Sequence, residues 1–216
     1  MAFTAFTTRE GGFSSPPFAS FNLGFHVGDN ADDVLRNRAR AEELFGPLVF
    51  MNQTHSDHVE VVDSAGIVDA DAVVTQSEGI ALAVQVADCI PLLISSESSV
   101  AAVHVGRRGL LNHITLKTLE KMSGSSFSAH LGPSICGRCY EVGEDVYREV
   151  IAAFPLAAAT SSQGSFSLDL SHALAHQLRE KGVEVTVDSR CTVETPELFS
   201  YRRDGQTGRQ IGVISL

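Results

Sequence analysis

Three residues stand at the ends of apolar runs: His55 in NQTHSDHV, Cys89 in VQVADCIPLL and His104 in AAVHVGRRGL. In a layered fold the scaffold fixes side chains at strand ends, and the loops that follow leave room for a ligand. Two imidazoles and one thiolate suit zinc. Three protein ligands leave the fourth tetrahedral position for water or substrate, the arrangement of a catalytic site, and bound zinc lowers the pKa of its water toward about 7. The spacings of 34 and 15 residues match no local zinc signature. The alternative is a small buried cysteine with histidines satisfied by backbone hydrogen bonds.

Cys136 and Cys139 form a CxxC in GPSICGRCYEVGEDV, a spacing shared by zinc ribbons and thioredoxin-like redox sites. A ribbon needs a second such pair, which the sequence lacks, and a redox motif belongs at a helix start inside a βαβ unit. A structural role is expected. His172 and His176 lie four apart on a predicted helix without the glutamate of a zincin, so a solvated helix face is expected there. Arginines stand beside glycines: Arg9 before Gly11-Gly12, Arg107-Arg108 before Gly109, and Arg202-Arg203 in SYRRDGQTGRQ. Glycine lets backbone N–H groups approach an anion whose oxygens a guanidinium can grip, which fits phosphate or carboxylate recognition. The alternative is surface charge beside turn glycines.

The elements that must hold these residues follow from periodicity. Residues 2–8 and 18–27 read as extended segments, and Asp29-Asn30 caps a helix from about Asp32 to Phe45 that Gly46-Pro47 stops. Short runs rich in Val and Ile at 48–51, 58–63, 71–75, 80–87, 90–94 and 100–105 read as strands. Leu110, Leu111, Ile114, Leu116 and Leu119 predict one helix over 109–122, and two more are expected over 143–154 and 169–181. Strands at 127–131, 183–187 and 211–215 complete the set. Strand pairs mixed with helices predict an α/β or α+β layered fold with mixed sheets rather than a doubly wound one.

The 216 residues, 44% hydrophobic and 19% charged, are expected to form one domain spanning 1–216 with a core that needs no staples. Sixteen Lys and Arg against 26 Asp and Glu give a net charge of −10, which argues against nucleic acid and anionic membranes as partners. No apolar run reaches the roughly 18–20 residues of a membrane span and the first residues do not read as a signal peptide, so a cytoplasmic location is expected. Cys89, Cys136, Cys139 and Cys191 are too scattered for a disulfide framework, and metal ligation or thiol chemistry is expected of them.

Six segments in order resemble the YfiH-type laccase-domain family, also described as polyphenol oxidases or multicopper-oxidase-like purine nucleoside phosphorylases. They are TTREGGFSSPPFASFNLGFHVGDN, NQTHSDHV, DADAVVTQSEGIALAVQVADCIPLL, AAVHVGRRGL, LGPSICGRCYEVGEDV and FSYRRDGQTGRQ. The resemblance implies a four-layer α-β-β-α sandwich and zinc at His55, Cys89 and His104, with copper the metal of the family's older naming. It also implies Arg9, Asn22, Arg108 and Arg202 as substrate- or phosphate-binding residues. The implied activity is phosphorolysis of adenosine, inosine or methylthioadenosine, with adenosine deamination; the implied partners are a purine nucleoside and phosphate. The family's GWRG reads GRRG here, with Arg107 in the tryptophan place, a change that bears on substrate preference rather than on the metal. Three other readings stand beside this one. They are an amide hydrolase of a peptidoglycan precursor with Cys89 as nucleophile and His104 as base, a copper-dependent polyphenol oxidase, and a non-enzymatic zinc-binding regulatory protein. The eight histidines include no HxH pair, which disfavours the His-rich clusters of a blue-copper oxidase.

Overall fold

The computed structural model describes residues 2–216. The first half contains strand β1 (Phe3–Phe6), helix α1 (Ala31–Phe45) and strands β2 (Leu48–Met51), β3 (Val59–Val61), β4 (Gly66–Val68), β5 (Ala72–Thr75), β6 (Ala81–Val86), β7 (Ile90–Ser95) and β8 (Val100–Val105). Then come α2 (Arg107–Leu111), α3 (Ile114–Lys121), β9 (Ser128–Leu131), α4 (Glu144–Ala153), β10 (Ala158–Thr160), β11 (Phe166–Leu168), α5 (Leu170–Glu180), β12 (Glu184–Val187), α6 (Tyr201–Asp204) and β13 (Gln210–Ser215).

Two mixed sheets carry the fold. One has the order β1-β13-β6-β2-β4 and the other β12-β9-β7-β8-β5-β3. Their strands are apolar on both faces because both faces are covered, and the period of two sorts each strand between two cores. Leu82, Val84 and Val86 of β6 meet Leu93 and Ala102 of β7 and β8 in the core between the sheets. The alternate residues Ala81 and Ala83 pack with Ala41 of α1 on the outer face of the first sheet. Ala101, Val103 and Val105 of β8 face Leu110, Ile114, Leu174 and Leu178 of the helices on the outer face of the second. The result is the expected four-layer α-β-β-α sandwich.

The local differences have physical causes. Residues 18–27 form no strand: the Asn22 side chain accepts from Gly24 N at 3.0 Å and donates to Gly24 O at 3.2 Å, so a side chain takes the bonds a ladder would have made. The helix expected over 109–122 is two helices, because His113 adopts a left-handed conformation with φ 56°. That single residue turns the chain while the apolar spacing continues across it. Strands β4, β10 and β11 are too short to show a period. Among the described residues, no helix is long and apolar enough to cross a membrane.

Candidate active site

The strand period places His104 on the same face of β8 as Ala102, toward the first sheet, and Asp71 on the same face as Val73 of β5. Because β5 and β8 are antiparallel neighbours, the two side chains meet: His104 Nδ1 lies 2.8 Å from Asp71 Oδ1. The pair is buried, with side chains 5% and 0% exposed. From the opposite sheet, the parallel strands β2 and β6 both end at this edge, and the loops that leave them carry His55 and Cys89. Cys89 Sγ lies 3.7 Å from His55 Nε2, and the His55 and His104 rings meet edge-on with centroids 4.6 Å apart. One ligand atom from each of His55, Cys89 and His104 falls within 4.8 Å of the other two.

Asp71 organises this group. It accepts from the backbone N–H of Thr54 (3.0 Å), His55 (3.0 Å) and Ser56 (2.7 Å) and from the Ser56 hydroxyl (2.7 Å) as well as facing His104. Burial alone would raise its carboxyl pKa, but the His104 and Ser56 hydrogen bonds hold it well below the usual carboxylate range. A carboxylate behind one ring nitrogen orients a histidine and leaves the other nitrogen for a metal. Burial opposes charge on both Cys89 and His104, yet their mutual attraction overrides it: the thiol is lowered to about 6 and the imidazole raised to about 9. In metal-free protein, alkylation of Cys89 is therefore expected to rise through pH about 6 rather than near the ordinary thiol value of about 8.5. Peptide mapping by mass spectrometry at a series of pH values checks this, and a rate that rises only above pH about 8 would contradict it.

The donor set fits zinc: two imidazoles, one thiol that ionises readily, and an orienting carboxylate. Gly106 makes room for it, since a Cβ there would lie 3.0 Å from both Cys89 Sγ and His55 Cδ2. Gly106→Ala removes no donor but displaces two. It is expected to cost roughly 10- to 100-fold in kcat/KM, with the unfolding free energy changed by about 1 kcal/mol. Kinetics and a urea titration on the same preparation check it; full activity in the alanine variant would show that the triad has slack.

The triad lies on a cavity of about 420 Å³ whose lining includes His26, Gln53, Asp88, Tyr140, Arg202 and Arg209. Partial burial, then Arg209 and Arg38, hold the His26 pKa below its ordinary value. Burial, with the Cys89 sulfur nearby, pushes the Tyr140 phenol up. Arg209 is anchored by Nη1 to Thr207 O (3.1 Å) and Gly208 O (2.9 Å), and Arg202 by Nη1 to Glu141 O (2.8 Å). Asp88, with φ 96°, turns the chain just before Cys89 and accepts from Thr192 Oγ1 (2.6 Å), Ser200 Oγ (2.7 Å) and Arg202 N (2.7 Å). One carboxylate thus binds the C-terminal loops to the triad.

Of the residues expected to hold substrate or phosphate, Arg202 lines the cavity and the other three do not. Arg9 donates to Ala19 O at 2.8 Å, pairs with Asp204 and stacks on Phe199, so its charge holds loops together. Asn22 is fully buried and positions Arg209 by accepting from its backbone N–H at 2.9 Å. Arg108 is exposed, and its neighbour Arg107 pairs with Glu149 at 2.6 Å. His172 and His176 are exposed on α5, as a solvated face requires. His26, Asp71, Asp88, Gly106, Tyr140 and Arg209 are site residues that sequence reasoning missed. For Arg209 a signal existed in the TGR that follows SYRRDGQ, while Asp71 looks like turn polarity until the β5–β8 pairing is known.

A mixed four-layer sandwich with a His-Cys-His group at one edge defines a class, and the chain belongs to it. Residues 3–216 match the multi-copper polyphenol oxidoreductase laccase family. Among its relatives, a purine nucleoside phosphorylase of Corynebacterium glutamicum is 44% identical over 98% of this chain and 93% of its own length. One of Mycobacterium tuberculosis is 45% identical over 96% and 89%. The crystal structure of a Neisseria meningitidis protein superposes with a TM-score of 0.92 at 38% identity, covering 100% of this chain and 94% of that one. That of a hypothetical YfiH protein from Bacillus licheniformis gives 0.90 at 29%, covering 100% and 92%. Among the described residues the groups able to hold a metal are His55-Cys89-His104 and a second one of Cys136, Cys139, Cys191 and Glu194.

Proposed function

We propose that the chain is a zinc-dependent purine nucleoside phosphorylase that cleaves adenosine, inosine or methylthioadenosine with phosphate and also deaminates adenosine, acting in the cytoplasm as one domain over residues 1–216. The observation that carries this reading is the meeting of the His55-Cys89-His104 group with two arginines in one cavity of a chain with net charge −10. Guanidinium groups there make a local anion site inside a negative molecule. His55, Cys89 and His104 would hold zinc, which when bound supplies Lewis acidity to a reactant oxygen. Copper is the alternative metal that the family's description names.

The chain's own groups do the rest. Arg202 and Arg209, held by backbone carbonyls, bind the phosphate and keep it in line with the anomeric carbon. A phosphate oxygen bonds to that carbon as the carbon–nitrogen bond to the purine breaks, and the electron pair leaves with the base. Tyr140 is a phenol, protonated at neutral pH, and burial pushes its pKa further up, so its hydroxyl can donate a hydrogen bond to the base as negative charge develops. His26, kept neutral by burial and Arg209, offers a ring nitrogen without repelling the sugar's reacting centre as cationic character develops there. In deamination, water adds to purine C6 and ammonia leaves, while Asp71 holds His104 in one orientation on the cavity wall.

The test is product analysis by liquid chromatography of purified protein with adenosine, in phosphate and in phosphate-free buffer. Adenine is expected only with phosphate, and inosine in both. No product from any purine nucleoside would remove the reading. A second reading has one specific observation behind it: the Cys89, His104 and Asp71 side chains also form a nucleophile-base-orienter series, with the 2.8 Å His104–Asp71 contact. That arrangement would serve an amide hydrolase.

A further inference from the structure

A second group of metal-ligating side chains lies outside the triad, and no step above uses it. Sγ of Cys136, Cys139 and Cys191 and a carboxylate oxygen of Glu194 all lie within 4.8 Å of one another. The sequence separates Cys191 from the CxxC by more than fifty residues, but the fold brings them together. Strand β12 runs parallel beside β9, so the loops that leave the two strands emerge side by side at one edge. The pairing continues beyond the strands as a parallel bridge between Ser134 and Cys191, with Thr192 N donating to Ser134 O at 3.1 Å.

The local backbone is shaped around sulfur. Cys139 N and Tyr140 N both donate to Cys136 O at 3.0 Å, closing a tight turn that points both CxxC side chains the same way. Cys136 N donates to Cys191 Sγ at 3.4 Å, which ties the CxxC turn to the third sulfur. Gly137 permits the turn, because a Cβ there would lie 2.9 Å from the Asp169 Cβ. Arg138 reaches across to both Glu194 oxygens at 3.1 Å, placing a positive charge beside what would otherwise be an excess of negative ligands. The cysteines are partly or wholly buried, and all of them are free thiols. Thiolate sulfur and carboxylate oxygen are both zinc donors, and four of them complete a tetrahedral site.

We propose that Cys136, Cys139, Cys191 and Glu194 form a structural site for a thiophilic divalent cation of the zinc class, separate from the His55-Cys89-His104 group. Its place in the fold gives it a task. Ile135 and Tyr140, which flank the CxxC, line the cavity, and so do Tyr201 and Arg202 of α6, which follows the loop that carries Cys191. Both loops also converge on Asp88, through Ile135 N to Asp88 O at 2.9 Å and through Thr192 Oγ1. A metal at the three sulfurs would pin the two halves of that wall to each other. The inference does not depend on the catalytic reading, since it concerns ligands that never touch the cavity chemistry.

The test uses the full chain with His55→Ala and Cys89→Ala combined, which dismantles the first group and leaves the second intact. Purified without chelator, this variant is expected to retain one equivalent of zinc by mass spectrometric metal analysis. Loaded with cobalt instead, it is expected to show thiolate-to-cobalt charge-transfer absorption. Cys89 being absent, that absorption can arise only from the remaining three cysteines. Adding Cys191→Ser should abolish both signals, and Cys136→Ser provides a second route should the first variant fold poorly. The proposal is overturned if the double variant carries no metal and gives no charge-transfer band, whether its thiols titrate as free or as a disulfide; a disulfide would assign the group to redox chemistry instead.

Discussion

Under the proposed function Cys89→Ala is expected to lower kcat/KM for phosphorolysis roughly a thousand-fold, because losing one of three ligands would forfeit several kcal/mol of the transition-state stabilisation that a bound metal supplies. Stability should change by only about 1 kcal/mol, since the cysteine is half-buried on the cavity wall and packs against the core between the sheets without being enclosed by it. The same variant fails in the amide-hydrolase reading too, so the separating measurement is chelation of the wild type. If Cys89 acts as a ligand, a chelator reproduces the loss and added zinc restores the rate. If Cys89 acts as the nucleophile, chelation spares activity while alkylation destroys it. Activity retained after both treatments would deny this group any part in the chemistry.

Asp71→Ala should be the most damaging single change to folding near the site. It removes the acceptor for the three amides at 54–56, the Ser56 hydroxyl and the His104 ring. Leaving those donors and a buried imidazole without a partner is expected to cost about 3–5 kcal/mol, read as a shift of the urea midpoint without a change of slope. The pH dependence has a definite sign. The Asp71 carboxyl is depressed on folding, so its stabilisation is complete above the unfolded value of about 4 and is lost as pH falls below that. The difference between wild type and Asp71→Ala should therefore shrink on acidification and stay constant from mildly acidic to neutral pH. A gap that widened toward low pH would contradict the assignment of Asp71 as a hydrogen-bonded anion. Asp71→Asn keeps the shape but presents an amide where an acceptor is needed, and should fall between the two.

The legible part of the site was the part fixed locally. His55, Cys89 and His104 each end an apolar run, and strands close to those runs formed as the Val- and Ile-rich composition dictated. What the sequence could not show was the partner of each local feature. Asp71 belongs to the site only because β5 lies beside β8, and Cys191 joins the CxxC only through the parallel β9–β12 contact. Arg9 sits near two glycines as an anion-binding arginine should, yet its guanidinium is taken up by Asp204 and the Ala19 carbonyl. The break at His113 left no trace in the pattern because a single left-handed residue changes a helix's direction without changing which side chains are apolar.

Strand β13 lies inside the first sheet, with β1 on one side and β6 on the other. Both neighbours come off the ribosome long before it does. Until it arrives, β1 has no ladder partner and β6 lacks one of its two. Assembly of the catalytic edge is thus expected to be the last event of folding rather than an early one, with the long loop closures that slow such topologies. During refolding the characteristic reactivity of Cys89 should return together with the final structural phase; its recovery in an earlier phase would mean that the edge forms without its last strand.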